Sequence, residues 1–161
     1  MRQIRNHVFE TNSSSVHTIS ISNEGLEPSK LRMNKDGKVV VPFGSFDKEY
    51  RIYNSQEEKL SYLLTQCVYL YCRWSGKWID EFNNKDIKMF YENYEFKCIE
   101  DAIVDYVPNC TGIAIEKPYS AYIDHQSVPE DEDDLMCCIW DKQSVQGFVF
   151  NKYVSLKTDC D

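Results

Sequence analysis

Nine residues near the N-terminus, Phe9-Glu10-Thr11-Asn12-Ser13-Ser14-Ser15-Val16-His17, set a carboxylate, an amide, four hydroxyls and an imidazole side by side. These are the side-chain types of a general base, a nucleophile and a hydrogen-bonding cradle. A serine nucleophile needs a base within hydrogen-bond reach. Along an extended strand Ser15 and His17 share a face but stand about 6 to 7 Å apart, so the pair works only if the chain turns. Ser13, Ser14 and Ser15 can instead offer a row of donors to an anion, with Arg2 or Arg5 close in sequence. No glycine-rich phosphate loop accompanies them. The same Ser, Thr and Asn side chains also satisfy the backbone of an ordinary turn.

Asp124-His125-Gln126-Ser127 follows a predicted strand and forms a second polar constellation. An Asp beside a His can orient an imidazole or a metal ligand. With Glu10 and His17, His125 would complete a two-histidine, one-carboxylate set. The spacing is not a recognised metal motif, so neither metal nor cofactor is expected, a divalent cation being the exception to test. The ligand-binding candidates are thus Arg5, Glu10, Asn12, Ser13, Ser14, His17, Asp124 and His125. The catalytic candidates are Ser14, Ser15, His17 and His125. Thr158-Asp159-Cys160-Asp161 and the run Glu130 to Asp134 read as solvated acids, the latter at a helix start.

Elements must hold these residues in place. Val16 to Ser22 alternates as a strand, with His17, Ile19 and Ile21 on one face. Leu31 to Met33 and Val39 to Val41 flank Asn34-Lys35-Asp36-Gly37, a hairpin pattern. Ser55-x-x-Glu58 is a capping box, and Leu60, Leu63, Leu64, Cys67, Val68 and Tyr71 follow at helical spacing. A second helical region spans 85 to 106, with a break near Glu95 and a stop at Pro108. Thr111 to Glu116 and Tyr119 to Ile123 are strand-like. A short helix is expected from Pro129 to Trp140. Gly147 to Phe150 and Tyr153 to Leu156 read as a closing hairpin. Trp74 and Trp78 read as core anchors more readily than as an exposed patch. The fold class is α+β: one domain over 1–161, β-rich in 1–53, helical in 55–107 and β-rich again in 110–158. Two to three helices would pack on one face of a mainly antiparallel sheet.

With 161 residues, 42% hydrophobic and 14% aromatic, the chain can bury a core without staples. No run of about 18 apolar residues occurs, so no membrane partner is expected. Met1 to Glu10 lacks an apolar signal core, which points to the cytoplasm. The net charge of −8 opposes direct nucleic-acid binding, whose affinity rests on a basic face. An acidic surface serves solubility, or engages a basic protein groove. The seven cysteines include no CxxC pair, so free thiols are expected, with Cys67 and Cys98 as small core residues.

The block Phe9 to His17, with Ile123-Asp124-His125-Gln126-Ser127 and the ending Thr158-Asp159-Cys160-Asp161, resembles a family of small proteins from phages and prophages of Gram-positive bacteria. The resemblance covers the two ends of the chain. It implies a mobile-element accessory protein in the bacterial host cytoplasm, and it supplies no catalytic residue. Two functions compete. One is a host-interaction or anti-defence factor that binds a host or defence protein, or a small nucleotide-like ligand. The other is a hydrolase or phosphodiesterase with a Ser/His/Asp pocket.

Overall fold

The computed structural model describes residues 18–19, 25–46, 50–123 and 141–158. The elements are β1 (Thr18–Ile19), β2 (Lys38–Val41), β3 (Ser45–Phe46), β4 (Arg51–Tyr53), α1 (Gln56–Trp74), α2 (Asp86–Phe90), α3 (Tyr94–Tyr106), β5 (Gly112–Ile115), β6 (Tyr122–Ile123), α4 (Lys142–Val149) and β7 (Leu156–Thr158). The fold is α+β.

Helix α1 begins where the capping box places it. Ser55 Oγ accepts from Glu58 N at 3.2 Å, and Glu58 Oε2 accepts from Ser55 N at 3.0 Å. Two N–H groups without intrahelical acceptors are thereby satisfied. From Lys59 to Val68 every residue of α1 is buried. A helix buried on all sides is central, so α1 is not one of a set packed on a single sheet face. Its buried Thr65 finds backbone partners, whereas both amide atoms of Gln66 find none among the described residues. Thr65 Oγ1 donates to Ser61 O at 2.7 Å and accepts from Gly44 N at 2.8 Å.

The second helical region divides at Tyr91 to Asn93, slightly before the expected break. Asn93 caps α3 by accepting from Phe96 N at 3.2 Å, and Glu95 lies inside the first turn. Phe96, Ile99, Ala102 and Ile103 form the buried stripe of α3. Cys98 lies off that stripe and is half-buried, whereas Cys67 is a core residue as expected. Pro108 follows the end of the helix.

The sheets are not mainly antiparallel. β2 pairs in parallel with β5, Lys38 opposite Gly112, and β3 pairs in parallel with β6, Ser45 opposite Tyr122. Glu116 N donates to Val41 O and Tyr122 N to Gly44 O, so the two parallel ladders are one interrupted pair of strands. Helices α1 to α3 supply the crossover that a parallel pair requires. Antiparallel pairing joins β1 to β7 and β7 to β4. The Asn34–Gly37 turn forms as expected, closed by the Met33–Val39 bridge, with Gly37 at φ 75°.

The closing hairpin is replaced. Residues 142–149 form α4, because Asp141 Oδ1 accepts from Ser144 N at 2.7 Å as an N-cap. Val145, Phe148 and Val149 then share a buried face. Gln146 Nε2 donates to Ala102 O at 3.0 Å, fastening α4 to α3. Of the expected second strand, Tyr153 to Leu156, only Leu156 is in a strand, at the start of β7. Trp74 and Trp78 are 57% and 77% exposed, not core anchors. They lie at and just beyond the end of α1, past its buried stretch. Phe43, Tyr71, Phe82 and Phe90 fill the core near that end through edge-to-face ring contacts of 5.7 to 6.0 Å.

Candidate functional site

Arg5, Glu10, Asn12, Ser13, Ser14, Ser15, His17, Asp124 and His125 all lie outside the described residues. So do the expected helix from Pro129 to Trp140, the acids at 159 and 161, and Cys137, Cys138 and Cys160. The described residues build a different site at the start of α1.

There a cleft of about 610 Å³ opens. One wall is the turn Tyr53-Asn54-Ser55 and the first turn of α1, Gln56 to Lys59. A second is Pro42 and Gly44 to Phe46, between β2 and β3. The third combines Glu27 and Lys30 with Phe150, Asn151 and Lys152, just after α4. Gln56 ties the first wall to the third. Its Oε1 accepts from Lys30 N at 2.7 Å, and its Nε2 donates to Pro28 O at 3.1 Å. Gly25 lets the third wall close on itself. It sits at φ 98°, its carbonyl accepts from Lys152 N at 3.1 Å, and an added Cβ would lie 2.5 Å from Tyr153 Cδ2.

Lys59 dominates the chemistry. The residue is 1% exposed. Its Nζ donates to Asn151 O at 2.8 Å and to Val154 O at 3.2 Å. Among the described residues no carboxylate comes within ion-pair distance of it. Burial pushes the amine down to about 8, with the charge of Glu27 pulling the other way. The carbonyls it meets belong to the turn that follows α4.

The other charges divide into engaged and available. Glu58 Oε2 accepts from Ser55 N, Ser55 Oγ and Asn54 N, so it is committed to the helix cap. Glu27 pairs with Lys30 at 2.8 Å, and this hydrogen bond and charge hold its carboxyl below the usual range. Lys152 lies 5.0 Å from the Tyr153 ring centroid, with no carboxylate partner among the described residues. Among the described residues the cleft therefore presents two cations without an ion pair, Lys59 and Lys152, against one carboxylate, Glu57, that is neither paired nor tied to the cap.

Ser55 and Glu58 are the one hydroxyl and carboxylate in mutual contact here, at 2.7 Å. That carboxylate is shared with two backbone N–H groups, which makes the pair a cap, not an activated nucleophile. Cys72 is pushed up to about 11 by burial, and Cys67 higher still, so both thiols are held protonated and inert. Among the described residues no cluster of three His, Cys, Asp or Glu could hold a metal, and no helix is long and apolar enough to cross a membrane.

Sequence reasoning passed over Lys59. The available signal was a lysine placed three and four residues before Tyr62 and Leu63, on an apolar stripe where exposed lysines do not belong. No family model matches the chain, and neither does any curated protein or solved structure.

Proposed function

We propose that the chain is a ligand-binding protein, and that the cleft at the start of α1 takes a small anionic ligand of the nucleotide-like class. The observation that carries this reading is Lys59. An ammonium group has three N–H donors. Two are accepted by Asn151 O and Val154 O, and the third has no acceptor among the described residues. A buried cation without a counter-charge is costly. An anion in the cleft would supply both the acceptor and the charge, with Lys152 as a second cation at the rim. The mobile-element setting, with a host or defence protein as partner, belongs to this proposal on the resemblance of residues 9–17. The hydrolase alternative gains no support from the cleft, whose one hydroxyl–carboxylate contact is a helix cap.

Thermal unfolding with increasing adenosine monophosphate or inorganic phosphate tests the reading. The midpoint should rise saturably, by linkage to the native state, and less so at high salt. Lys59→Met should abolish the rise. Midpoints unchanged by either ligand in the wild-type protein would overturn the reading.

A further inference from the structure

The hydrogens on Lys59 can be counted against its surroundings. A neutral amine carries two N–H bonds and one lone pair. Two backbone carbonyls, Asn151 O and Val154 O, take two hydrogens. The neutral form is thus fully satisfied by the protein, with its lone pair unused. The charged groups around it do not force the ammonium form. Burial opposes it more than Glu27 favours it, the Glu27 carboxylate is paired with Lys30, and Glu58 on its own helix is spent on the cap. A desolvated lysine lining a cleft is the usual arrangement of an amine that attacks carbonyl carbon.

We propose that Lys59 is a carbonyl-reactive amine, which condenses reversibly with an aldehyde or 2-oxo acid that enters the cleft. The proposal rests on the ligand-binding reading only in requiring that a small molecule can enter. The lone pair of Nζ forms a bond to the carbonyl carbon, and the C=O π pair moves to oxygen, which is protonated. The carbinolamine then loses that oxygen with two hydrogens as one water, leaving a C=N bond. The imine nitrogen carries no hydrogen, or one when protonated. At least one of the bonds to Asn151 O and Val154 O must therefore break, and the turn at 151–154 loosens as the adduct forms.

The test incubates the full chain with glyoxylate, or separately with propanal, at about pH 7.5, where an ordinary exposed lysine is almost wholly protonated. Sodium cyanoborohydride traps the imine, and peptide mass mapping locates it. Lys59 should be trapped on the order of tenfold faster than Lys30 or Lys152, because more of its amine is neutral at that pH. The double variant Lys30→Arg, Lys152→Arg should keep the Lys59 adduct. Hydrogen exchange at Tyr153 and Val154 should quicken in the trapped protein. Trapping at Lys30 and Lys152 with Lys59 unmodified would overturn the proposal, and this result comes from the wild-type chain without any variant that must fold. Equal trapping of Lys59 by glyoxylate and propanal, with no phosphate effect on melting, would uphold the amine and remove the anion preference. A phosphate-dependent rise in melting without a Lys59 adduct would do the reverse.

Discussion

Lys59 on the first turns of α1 and Asn151 after α4 are joined directly, Nζ to backbone carbonyl, across 92 residues of sequence. The contact makes one amine the link between the opening of the central helix and the closing turn of the chain. Removing it should be felt in folding. Lys59→Ala is expected to destabilise by about 2–4 kcal/mol, from a lost buried stem, the donor lost to Val154 O, and Asn151 O left with Val154 N alone of its two donors. Urea unfolding measures this. A change below about 1 kcal/mol would mean that the turn is held by other contacts.

The same group sets a pH dependence. Its folded value, about 8, lies below the ordinary 10.5, so between those values the unfolded chain binds more protons. Stability contributed by Lys59 therefore rises with pH across that window and is flat below it, a change of order 3 kcal/mol. Cys72 acts oppositely. Its thiol is raised from 9.0 to about 11, so its contribution falls as pH climbs through that interval. The measurement is accordingly the difference between wild type and Lys59→Met at each pH. A difference that does not change from pH 8 to pH 10.5 would contradict a desolvated amine.

Thr65→Val conserves shape but removes the hydroxyl that accepts from Gly44 N and donates to Ser61 O. Both backbone groups lie against the middle of α1, so water cannot easily replace it. A loss of about 1–3 kcal/mol is expected. Thr65→Ser, which keeps the hydroxyl, should recover part of it.

Ser55→Ala removes one half of the capping box, the acceptor for Glu58 N, while the Glu58 carboxylate keeps the N–H groups of Ser55 and Asn54. The expected cost is about 1 kcal/mol, seen as an earlier thermal midpoint. The phosphate response of the adjacent cleft should be unchanged, since Glu58 stays tied to the N–H groups of Asn54 and Ser55. A weakened phosphate response in a folded variant would join the cap to the site.

Cys67, Cys72, Cys98 and Cys110 are free thiols. Melting should shift little with a reducing agent. Cys67, fully enclosed, should react with iodoacetamide only after unfolding. Rapid labelling of Cys67 in the native protein would show that α1 is less enclosed than described.

The start of α1 was legible because Ser55 and Glu58 announce a cap locally and the apolar spacing follows at once. Its central position was not. Lys59, Ser61, Thr65 and Gln66 are polar, yet all are buried; Asn151 and Val154 reach Lys59, and Gly44 reaches Thr65, from distant parts of the chain. Gly147 to Phe150 alternates like a strand, but the Asp141 cap and the packing of Gln146 on Ala102 decide for helix. The parallel pairing of β2 with β5 depends on a contact between remote segments, to which local alternation is blind. The polar stretch 9–17 drew attention through composition alone. The described site instead turns on one lysine whose significance comes from its surroundings.

Pairing Lys38–Val41 with Gly112–Ile115 also fixes an order of events during synthesis. The first strand leaves the ribosome long before its parallel partner, by several seconds at about 5–20 residues per second. Until then Val39 and Val41, both fully buried in the finished protein, have only the preceding Arg32–Asn34 segment to pair with. The nascent chain must carry that apolar edge through the emergence of α1 to α3, an interval in which it is open to aggregation and to chaperones.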